Sequence, residues 1–567
     1  MFRPGILNAM RGYTPRQFVS DSIAGIIVGV LAVPLSIAVA VASGVTPQQG
    51  LATAVVAGTA VAFFGGGRVQ ISGPTGTFIV VAYAIGAQYG YDGLALATVM
   101  AGIMLAVMGI ARLGRVIQYV PYPVVIGFSS GIGTAILISQ IGDLLGLSLV
   151  GAPPDVPARI LTYIGALGRI SLADTVVSFV TILIVVFWKH ISKRIPGALV
   201  AILAVTIPVV LFDLSVVTIN SRFGGLPRGM TWYGLPPVSL ELIQQMLMPA
   251  FTIALLCGIE SLFTAVVADG MIGDRHDPNT ELVGEGIANI ACAIFGGLPA
   301  SGVIARTATN AKNGGRTPVA ALANVAVVLL VMTVLAPLAG YIPIAALAGV
   351  LAVVAFNMAE WPSFMALMKG PKSDVSVMLT TFSLTILIDL SVAIQAGMVL
   401  AAFLFMHRMS VVAQINVLGA ENDEQDEVNT GPADQSPHFH SGHSQRIPEG
   451  VEVYEVNGPF FFGAVEKFRN IMMLIERMPK VRIVRMGAVG AIDATGLHLI
   501  EDLVAESDRH RMHLILCELQ AQPERALKKA GLYERLQPGH ICTSLDEALE
   551  YAREYIQEST ENQAPSP

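Results

Sequence analysis

Two ionisable residues lie in sequence that is otherwise apolar enough to span a membrane. Glu260 lies within Phe251–Asp269 among leucine, isoleucine and phenylalanine residues, and Arg306 follows a short run that contains glycine and proline. A charged side chain inside a bilayer is costly and marks a candidate functional site. Because burial among apolar groups favours a protonated carboxyl group, Glu260 is a candidate proton carrier near neutral pH. Thr264 lies one helical turn later on the same face and offers a further oxygen ligand.

Each of these residues also has a structural interpretation. Glu260 could be a paired or neutral carboxyl group at a helix interface. Arg306 needs an anionic partner or a water-filled cavity inside a membrane. Its charge could therefore concentrate anions at a binding site, or it could form an ion pair, for which Glu260 is a candidate partner. The sequence leaves both interpretations of Arg306 open.

Two short runs, Ser72–Gly76 (SGPTG) and Leu298–Gly302 (LPASG), interrupt apolar sequence once in each half of the chain. Glycine and proline are poor residues for the middle of a spanning helix, so a matched pair of interruptions predicts two broken helices that meet near the bilayer midplane. The free N–H groups and positive dipole ends of the half-helices would attract an anion. Thr75 and Ser301 offer hydroxyl groups there, and Gly76 and Gly302 complete the candidate site.

Other polar residues carry weaker signals. Glu281 and Glu285 are one turn apart at the start of a predicted span, where we expect them to pack against the cytoplasmic surface. The four cysteines have no CxxC or Cys/His spacing, so neither a structural metal nor a disulfide framework is predicted. There is no basic run that suggests nucleic acid, and no nucleophile–base arrangement that suggests an enzyme. No cofactor is expected.

The composition divides the chain into two parts. The 567 residues are 53% hydrophobic and only 13% charged, and the shortage of charge is confined to the sequence before about Met409. A spanning helix needs about 20 mostly apolar residues. The first part is therefore predicted to be a polytopic membrane domain, and the second a soluble domain.

Fourteen spans are predicted, seven in each half. The strong candidates are 22–43, 50–65, 93–111, 122–142, 174–189, 196–213, 247–269, 316–340, 342–358, 374–390 and 391–407, and the weaker ones are 74–89, 280–296 and 302–312. The broken element is third in each half, and an odd number of spans per repeat requires the repeats to have opposite orientations. This is the inverted-repeat pattern of secondary transporters. Basic residues in short loops favour a cytoplasmic N-terminus and, with an even number of spans, a cytoplasmic C-terminus.

The soluble part is predicted to be a small α/β domain, since strand-like and helical patterns alternate from Val451 onward. It is preceded by an acidic stretch rich in Pro, Ser and His that has almost no large apolar residues. Such a composition is typical of a flexible linker.

In the segments quoted below, the chain resembles the SulP family of anion transporters, the sulfate-permease-like group. The resemblance runs from Asn279 to Asn289 (NTELVGEGIAN), through Phe295–Pro299 (FGGLP) to Arg306 and Asn310, and on to Gly314–Thr317 (GGRT). Ser72–Thr75 (SGPT) and Ser129–Ile132 (SSGI) are similar as well. In the tail, Ile492–Leu497 (IDATGL) resembles the signature turn of a STAS domain, which follows the membrane part in this family.

This resemblance implies an α-helical polytopic membrane protein of fourteen spans, a seven-plus-seven inverted repeat with core and gate domains, followed by a cytoplasmic α/β STAS domain. It implies that the anion lies between the third and tenth spans, at Val39, Thr75, Glu260, Ile304, Ala305 and Arg306. The expected domains are 1–20, a cytoplasmic N-terminal segment; 21–411, the transporter domain; 412–448, a flexible acidic, His-containing linker; 449–557, the STAS domain; and 558–567, a disordered tail.

The resemblance also implies a type of coupling. The acid of the eighth span, here Glu260, is linked to cation coupling in the family. Sodium-coupled bicarbonate members carry an Asp at that position and a hydroxyl residue at the position of Ile304, so the present residues suit protons better than sodium. Leu35 stands where many members have Gln. The chain resembles most the bacterial branch that includes a proton-coupled C4-dicarboxylate transporter.

The resulting hypothesis is proton-coupled symport of a C4-dicarboxylate (succinate, fumarate or aspartate) by alternating access. The alternative is a sodium-coupled or uncoupled transporter or exchanger of sulfate, bicarbonate or chloride; an anion channel and a signalling protein that works through its STAS domain are further classes. The expected partners are a small inorganic or organic anion, H+ rather than Na+, the lipid bilayer, a second copy in a homodimer, and a cytoplasmic regulatory protein on the STAS domain. The expected location is the bacterial inner (cytoplasmic) membrane.

Overall fold

The computed structural model describes residues 4–561 apart from 11, 116–119, 148, 150–152, 192–195, 226–228, 231, 237, 389, 419–446, 475–478 and 537–539. Most of the predicted linker and the end of the predicted tail, 562–567, lie outside the described residues. The chain forms two compact units, Met1–Ala401 and Ala402–Pro567.

The first unit is helical. Its first half contains α1 (Gly5–Ala9), α2 (Pro15–Ala42), α3 (Pro47–Phe64), β1 (Ser72–Gly73), a 3-10 turn (Gly76–Phe78), α4 (Ile79–Ile110), α5 (Tyr122–Leu144), α6 (Val156–Ala166), α7 (Leu172–Ile191) and α8 (Gly197–Leu211). The second half contains α9 (Ile219–Phe223), α10 (Leu240–Ile272), α11 (Pro278–Ile294), β2 (Ser301–Gly302), α12 (Ile304–Lys312), α13 (Pro318–Leu330), a π-helical turn (Val331–Leu335), α14 (Ala336–Ala339), α15 (Ile344–Met358), α16 (Trp361–Leu367), α17 (Lys372–Leu387) and α18 (Leu390–Val412), which continues into the second unit.

Each of the fourteen predicted spans contains helix in the structure. The third and fourth spans share α4, which is broken at Gly90 because that residue adopts a φ of 69°. Seven helices in the described part of the chain are long and apolar enough to cross a membrane by themselves. Among the described residues of the first unit, the short helices α1, α9 and α16 and the longer α6 lie outside the predicted spans. Helix α6 is amphipathic, and the segment that contains it is bent by 118° from α7. At 11 residues, α6 is too short to cross a membrane by itself.

The two halves of the first unit pack in matched pairs. The first span, α2, packs on the eleventh, α13, and the corresponding eighth and fourth spans, α10 and α4, also pack on each other. In the same way, α5 packs on α17 and α7 packs on α15. Such pairs are expected of two repeats related by a pseudo-two-fold axis in the membrane plane.

The same packing separates a core from a gate. The core consists of α2, α3, α4, α10, α11, α12 and α13, and the gate consists of α5, α7, α8, α15 and α17. The core touches the gate mainly where α2 meets α15 and α8, and where the 3-10 turn meets α5. Both broken runs lie in the core, so the core positions the candidate site and the gate forms its opposite wall.

The second unit contains a five-stranded sheet in the order β3 (Gln414–Leu418), β4 (Val451–Asn457), β5 (Val481–Ala488), β6 (His513–Cys517) and β7 (Ile541–Cys542). The β3–β4 pair is antiparallel and the other pairs are parallel. Helices α19 (Phe462–Leu474), α20 (Ala494–His510), α21 (Ala521–Lys529), α22 (Leu532–Arg535) and α23 (Leu545–Glu561) complete the domain. The sheet extends further toward the N-terminus than expected, because 414–418, assigned above to the linker, pair with β4.

Candidate functional site

The two broken runs lie side by side and form a short antiparallel ribbon. In this ribbon Ser72 is opposite Gly302 and Gly73 is opposite Ser301. The backbone N–H of Val303 extends the pairing by donating to the Ile71 carbonyl at 2.8 Å. A helical segment begins within three residues of the end of each strand, so the N-termini of two half-helices lie at one place in the core.

These N-termini present backbone donors. In α12 the first helical hydrogen bond is donated by Thr307 N to the Val303 carbonyl, at 2.9 Å, so the N–H groups of Ile304 and Ala305 precede the helical ladder. Ala305 is exposed and Ile304 is half-buried. The first strand leads through Pro74 and Thr75 into the 3-10 turn, which begins at Gly76. This arrangement can bind an anion through the two helix termini.

Glu260 of α10 reaches this place and is held by hydroxyl groups from both runs. Its Oε2 accepts from Ser301 Oγ at 2.6 Å and from Thr75 Oγ1 at 3.1 Å. Its Oε1 accepts from Thr77 Oγ1 at 3.1 Å. A single carboxyl group therefore joins the beginnings of the third and tenth spans, and its charge state bears directly on any anion bound there.

The other predicted site residues have less direct positions. Thr264 donates its Oγ1 to the Gly302 carbonyl at 3.0 Å, and Gly302 N donates to Ser261 Oγ at 2.9 Å, so α10 holds the second strand of the ribbon on both sides. Val39 is 5% exposed on α2, which packs on α12. The predicted residues Thr75, Ser301 and Glu260 are thus joined by hydrogen bonds, and Val39 is buried on a helix that packs on α12.

Arg306 is buried without an ion-pair partner among the described residues. Its side chain is 2% exposed, and its Nη2 makes one long contact with Ser36 Oγ at 3.4 Å. The Nε and Nη1 atoms have no partner in the described part of the chain. The predicted alternative of an Arg306–Glu260 ion pair is therefore wrong for this structure. An uncompensated guanidinium at this position supplies a positive field.

Gly73 allows the Arg306 guanidinium to approach the ribbon, since a Cβ atom at this position would lie 3.0 Å from Nη1. We expect Gly73→Ala to displace the guanidinium and to weaken the apparent affinity of the site for an anion about tenfold, the equivalent of one hydrogen bond to a charged group. The concentration dependence of anion binding measures this effect. Gly86→Ala is the matched control, because a Cβ there meets nothing within 4 Å. Equal affinities in the two variants would show that Gly73 has no role in placing Arg306.

Three residues of the site differ from what the sequence indicates. The sequence does not single out Thr77, although it lies two residues after Thr75 and donates to Glu260. Glu281 and Glu285 were assigned to the cytoplasmic surface, but both are 0% exposed. Glu285 Oε1 accepts from Ser72 Oγ at 2.6 Å, so its carboxyl group lies against the ribbon itself. Glu281 lies in the first turn of α11, where acidic residues are common for electrostatic reasons, and Glu285 follows one turn later, so no local signal in the sequence indicates the contact with Ser72.

The gate supplies an apolar wall opposite the half-helices. A Cβ atom on Gly76 would lie 3.4 Å from Met358 Sδ and 3.5 Å from Ile136 Cδ1. These side chains come from α15 and α5. The space in front of the first half-helix is therefore narrow on the gate side. Among the described residues there is no group of three His, Cys, Asp or Glu side chains that could hold a metal ion.

Comparison with known proteins gives a consistent result. A model of the sulfate permease family matches residues 18–381, and a model of the STAS domain matches residues 444–548. "Putative sulfate transporter YvdB" of Bacillus subtilis (strain 168) is 37% identical over 539 residues, which cover 95% of this chain and 98% of that protein. "Bicarbonate transporter BicA" of Picosynechococcus sp. is 29% identical over 554 residues, 95% of each chain.

A solved structure is similar over nearly the whole length. The murine solute carrier Slc26a9, an anion transporter in the inward-facing state, matches with a TM-score of 0.82 and covers 97% of this chain and 94% of that one. At 18% identity this likeness concerns the fold alone. It agrees with the helical membrane unit and the α/β domain described above.

Proposed function

Because this chain belongs to the sulfate permease family, it is a multi-pass membrane transporter of anions rather than an enzyme, and we propose that it couples the uptake of a small anion to protons by alternating access. The observation that carries the proposal is the position of Glu260, whose carboxyl group is bonded to both half-helices at the candidate anion site. Movement of the core against the gate would expose this site to one side of the membrane at a time.

Electrostatics gives the reason for coupling. A charged Glu260 would repel an anion at the same helix termini, whereas a protonated Glu260 would not. Anion and proton therefore bind favourably together, and the loaded site carries less net charge across the apolar barrier between core and gate. Ile304 supplies no side-chain oxygen, which favours protons over sodium as the coupling ion.

The names of the relatives and the space beside the first half-helix bear on which class of anion is transported. The sequence resemblance led to C4-dicarboxylates, but the two relatives described above are named for sulfate and bicarbonate. The apolar side chains of Met358 and Ile136 also narrow the space beside Gly76. The names of these relatives and the narrow space both favour a small inorganic oxyanion. Sulfate is therefore the first substrate to test, and bicarbonate and succinate are tested for comparison.

The cellular setting follows from the loop charges and the domain order. We place the protein in the bacterial inner membrane with both termini in the cytoplasm, so that the STAS domain faces the cytoplasm. A homodimer and a cytoplasmic regulatory protein bound to the STAS domain belong to the same proposal.

The experiment is uptake of radiolabelled sulfate, bicarbonate and succinate into proteoliposomes, with either a pH gradient or a sodium gradient imposed. We expect one of these anions to accumulate when the outside is acidic and sodium is absent. Accumulation that requires sodium at equal pH, or equilibration without accumulation under either gradient, would contradict proton coupling and support the alternative transport modes.

A further inference from the structure

Three titratable side chains lead from a pocket at one end of the core toward the ribbon, and each keeps one buried polar atom that has no partner among the described residues. The atoms are His276 Nε2, Glu281 Oε1 and Glu285 Oε2. Few buried polar atoms lack partners in native proteins, and such atoms often have a functional reason or bind water. Three in succession along one route call for a common explanation.

The route begins at the turn between α10 and α11. A pocket of about 160 Å³ lies there, lined by the turn, by α1 and by the segment after α3, and His276 is one of its lining residues. The His276 side chain is only 6% exposed, and its Nδ1 lies 2.7 Å from Asp269 Oδ2. The ring is thus fixed by Asp269 while Nε2 stays available. The other charged residues around the pocket are Arg68, Arg275, Asp274 and Asp277.

The carboxyl groups of Glu281 and Glu285 are each held by hydrogen bonds to one of their two oxygens. Glu281 Oε2 accepts from the backbone N–H groups of Gly66 and Gly67, at 2.7 and 2.8 Å. Glu285 Oε1 accepts from Ser72 Oγ at 2.6 Å and from Gln70 Nε2 at 3.2 Å. In both carboxyl groups the second oxygen has no partner in the part of the chain that the structure describes.

The three groups are also close in sequence. His276 lies two residues before the start of α11, and Glu281 and Glu285 lie on that helix. The two glutamates are four residues apart on α11, which places their Cβ atoms about 6 Å apart. Neither has a Lys or Arg within ion-pair distance among the described residues. Two buried carboxylates without a counter-ion are very costly, so this pair is suited to hold a proton.

The route ends behind the anion site. Ser72, which donates to Glu285, is opposite Gly302 in the ribbon, and Gly302 adjoins Ser301, which donates to Glu260. Since neighbouring residues of a strand point to opposite faces, the ribbon separates Glu285 from the face that carries Ser301 and Arg306.

We propose that Glu285, Glu281 and His276 form a proton relay between the Glu260 site and the pocket at the α10–α11 turn. The relay rests on the proposed proton coupling and gives the coupling proton a route distinct from the anion's. During uptake the proton leaves the Glu260 carboxyl group, forms an O–H bond on Glu285, and is passed to Glu281. It then forms an N–H bond on His276 Nε2 and is released into the pocket, with water bridging groups that do not touch.

The test compares two transport modes in proteoliposomes, with whichever of labelled sulfate, bicarbonate and succinate the wild type accumulates. Uptake driven by a pH gradient needs net proton movement, whereas exchange of labelled for unlabelled anion at equal pH does not. We expect Glu285→Gln to lower gradient-driven uptake about tenfold or more, as for loss of a proton-transfer group, and to leave exchange nearly unchanged. We expect His276→Asn also to lower gradient-driven uptake and to leave exchange nearly unchanged. Asp274→Asn, at the same pocket but outside the relay, is the matched control.

The outcomes separate the relay from the proposed function. If the wild type is not driven by a pH gradient, proton coupling itself fails. Suppose that a pH gradient drives uptake by the wild type but not by Glu260→Gln. If Glu285→Gln and His276→Asn then both take up anion as well as the Asp274→Asn control does, the relay is wrong although proton coupling is correct. An equal loss of uptake and exchange would mean that the residues are structural, which also overturns the relay. If Glu285→Gln fails to assemble in the membrane, the uptake and exchange of His276→Asn decide whether the relay is correct.

Discussion

Glu260→Gln is expected to abolish accumulation of the transported anion under a pH gradient while preserving exchange of labelled for unlabelled anion. The amide is isosteric with a protonated carboxyl group and keeps donors and acceptors for Ser301, Thr75 and Thr77, so the ribbon and both half-helix termini remain in place. It cannot release a proton, however. The Glu260→Gln variant should bind the anion as the protonated wild-type protein does. Its empty site should then return to the other side of the membrane without the release of a proton.

The measurement is the ratio of internal to external labelled anion at steady state in proteoliposomes with an acidic exterior. The wild type should exceed equilibrium, and the variant should reach equilibrium only. Glu241→Gln is a suitable control, because Glu241 is an exposed acid in the first turn of the same helix. Persistent accumulation by Glu260→Gln would remove this residue from the coupling mechanism.

Replacement of Arg306 by Gln should have its main effect on affinity. The buried guanidinium has no ion-pair partner among the described residues, so its field acts on the space at the beginnings of the two half-helices. Loss of a charged interaction of this kind weakens binding by about 1.5–3 kcal/mol, which corresponds to about ten- to hundredfold in the KM for uptake. Arg306→Lys, which keeps the charge, should restore much of the affinity.

The affinity effect is distinguishable from the coupling effect. At saturating anion, Arg306→Gln should still accumulate substrate under a pH gradient, whereas Glu260→Gln should not at any concentration. An unchanged KM in Arg306→Gln would show that the guanidinium is structural. A variant that accumulates nothing at saturation would place Arg306 in the coupling step as well.

Much of the membrane fold could be predicted from the sequence because the signals are local. Apolar segment length gives the spans, and glycine and proline in Ser72–Gly76 and Leu298–Gly302 give the two breaks. The amphipathic helix α6 and the strand β3 were missed for the opposite reason. Each is short and of mixed composition, and β3 becomes a strand only through pairing with β4, more than thirty residues later.

The site was predictable only in part, because its contacts join distant parts of the chain. The ribbon that pairs Gly73 with Ser301 brings together residues that share no local pattern. Glu285 resembles an ordinary acid near a helix start, and its inward position depends on Ser72, 213 residues earlier. Likewise, the sequence could not decide whether Arg306 pairs with Glu260, since that depends on how the ribbon and α2 surround the guanidinium.

Proton coupling through Glu260 can be tested by measuring the protons that move with the anion. Proteoliposomes that contain a trapped pH-sensitive dye and have equal pH on both sides are supplied with an inward gradient of the transported anion, with the membrane potential clamped. We expect the wild-type protein to acidify the interior and Glu260→Gln not to do so, although both move the labelled anion inward. Anion entry into wild-type vesicles without acidification, or equal acidification by the two proteins, would contradict proton coupling through Glu260.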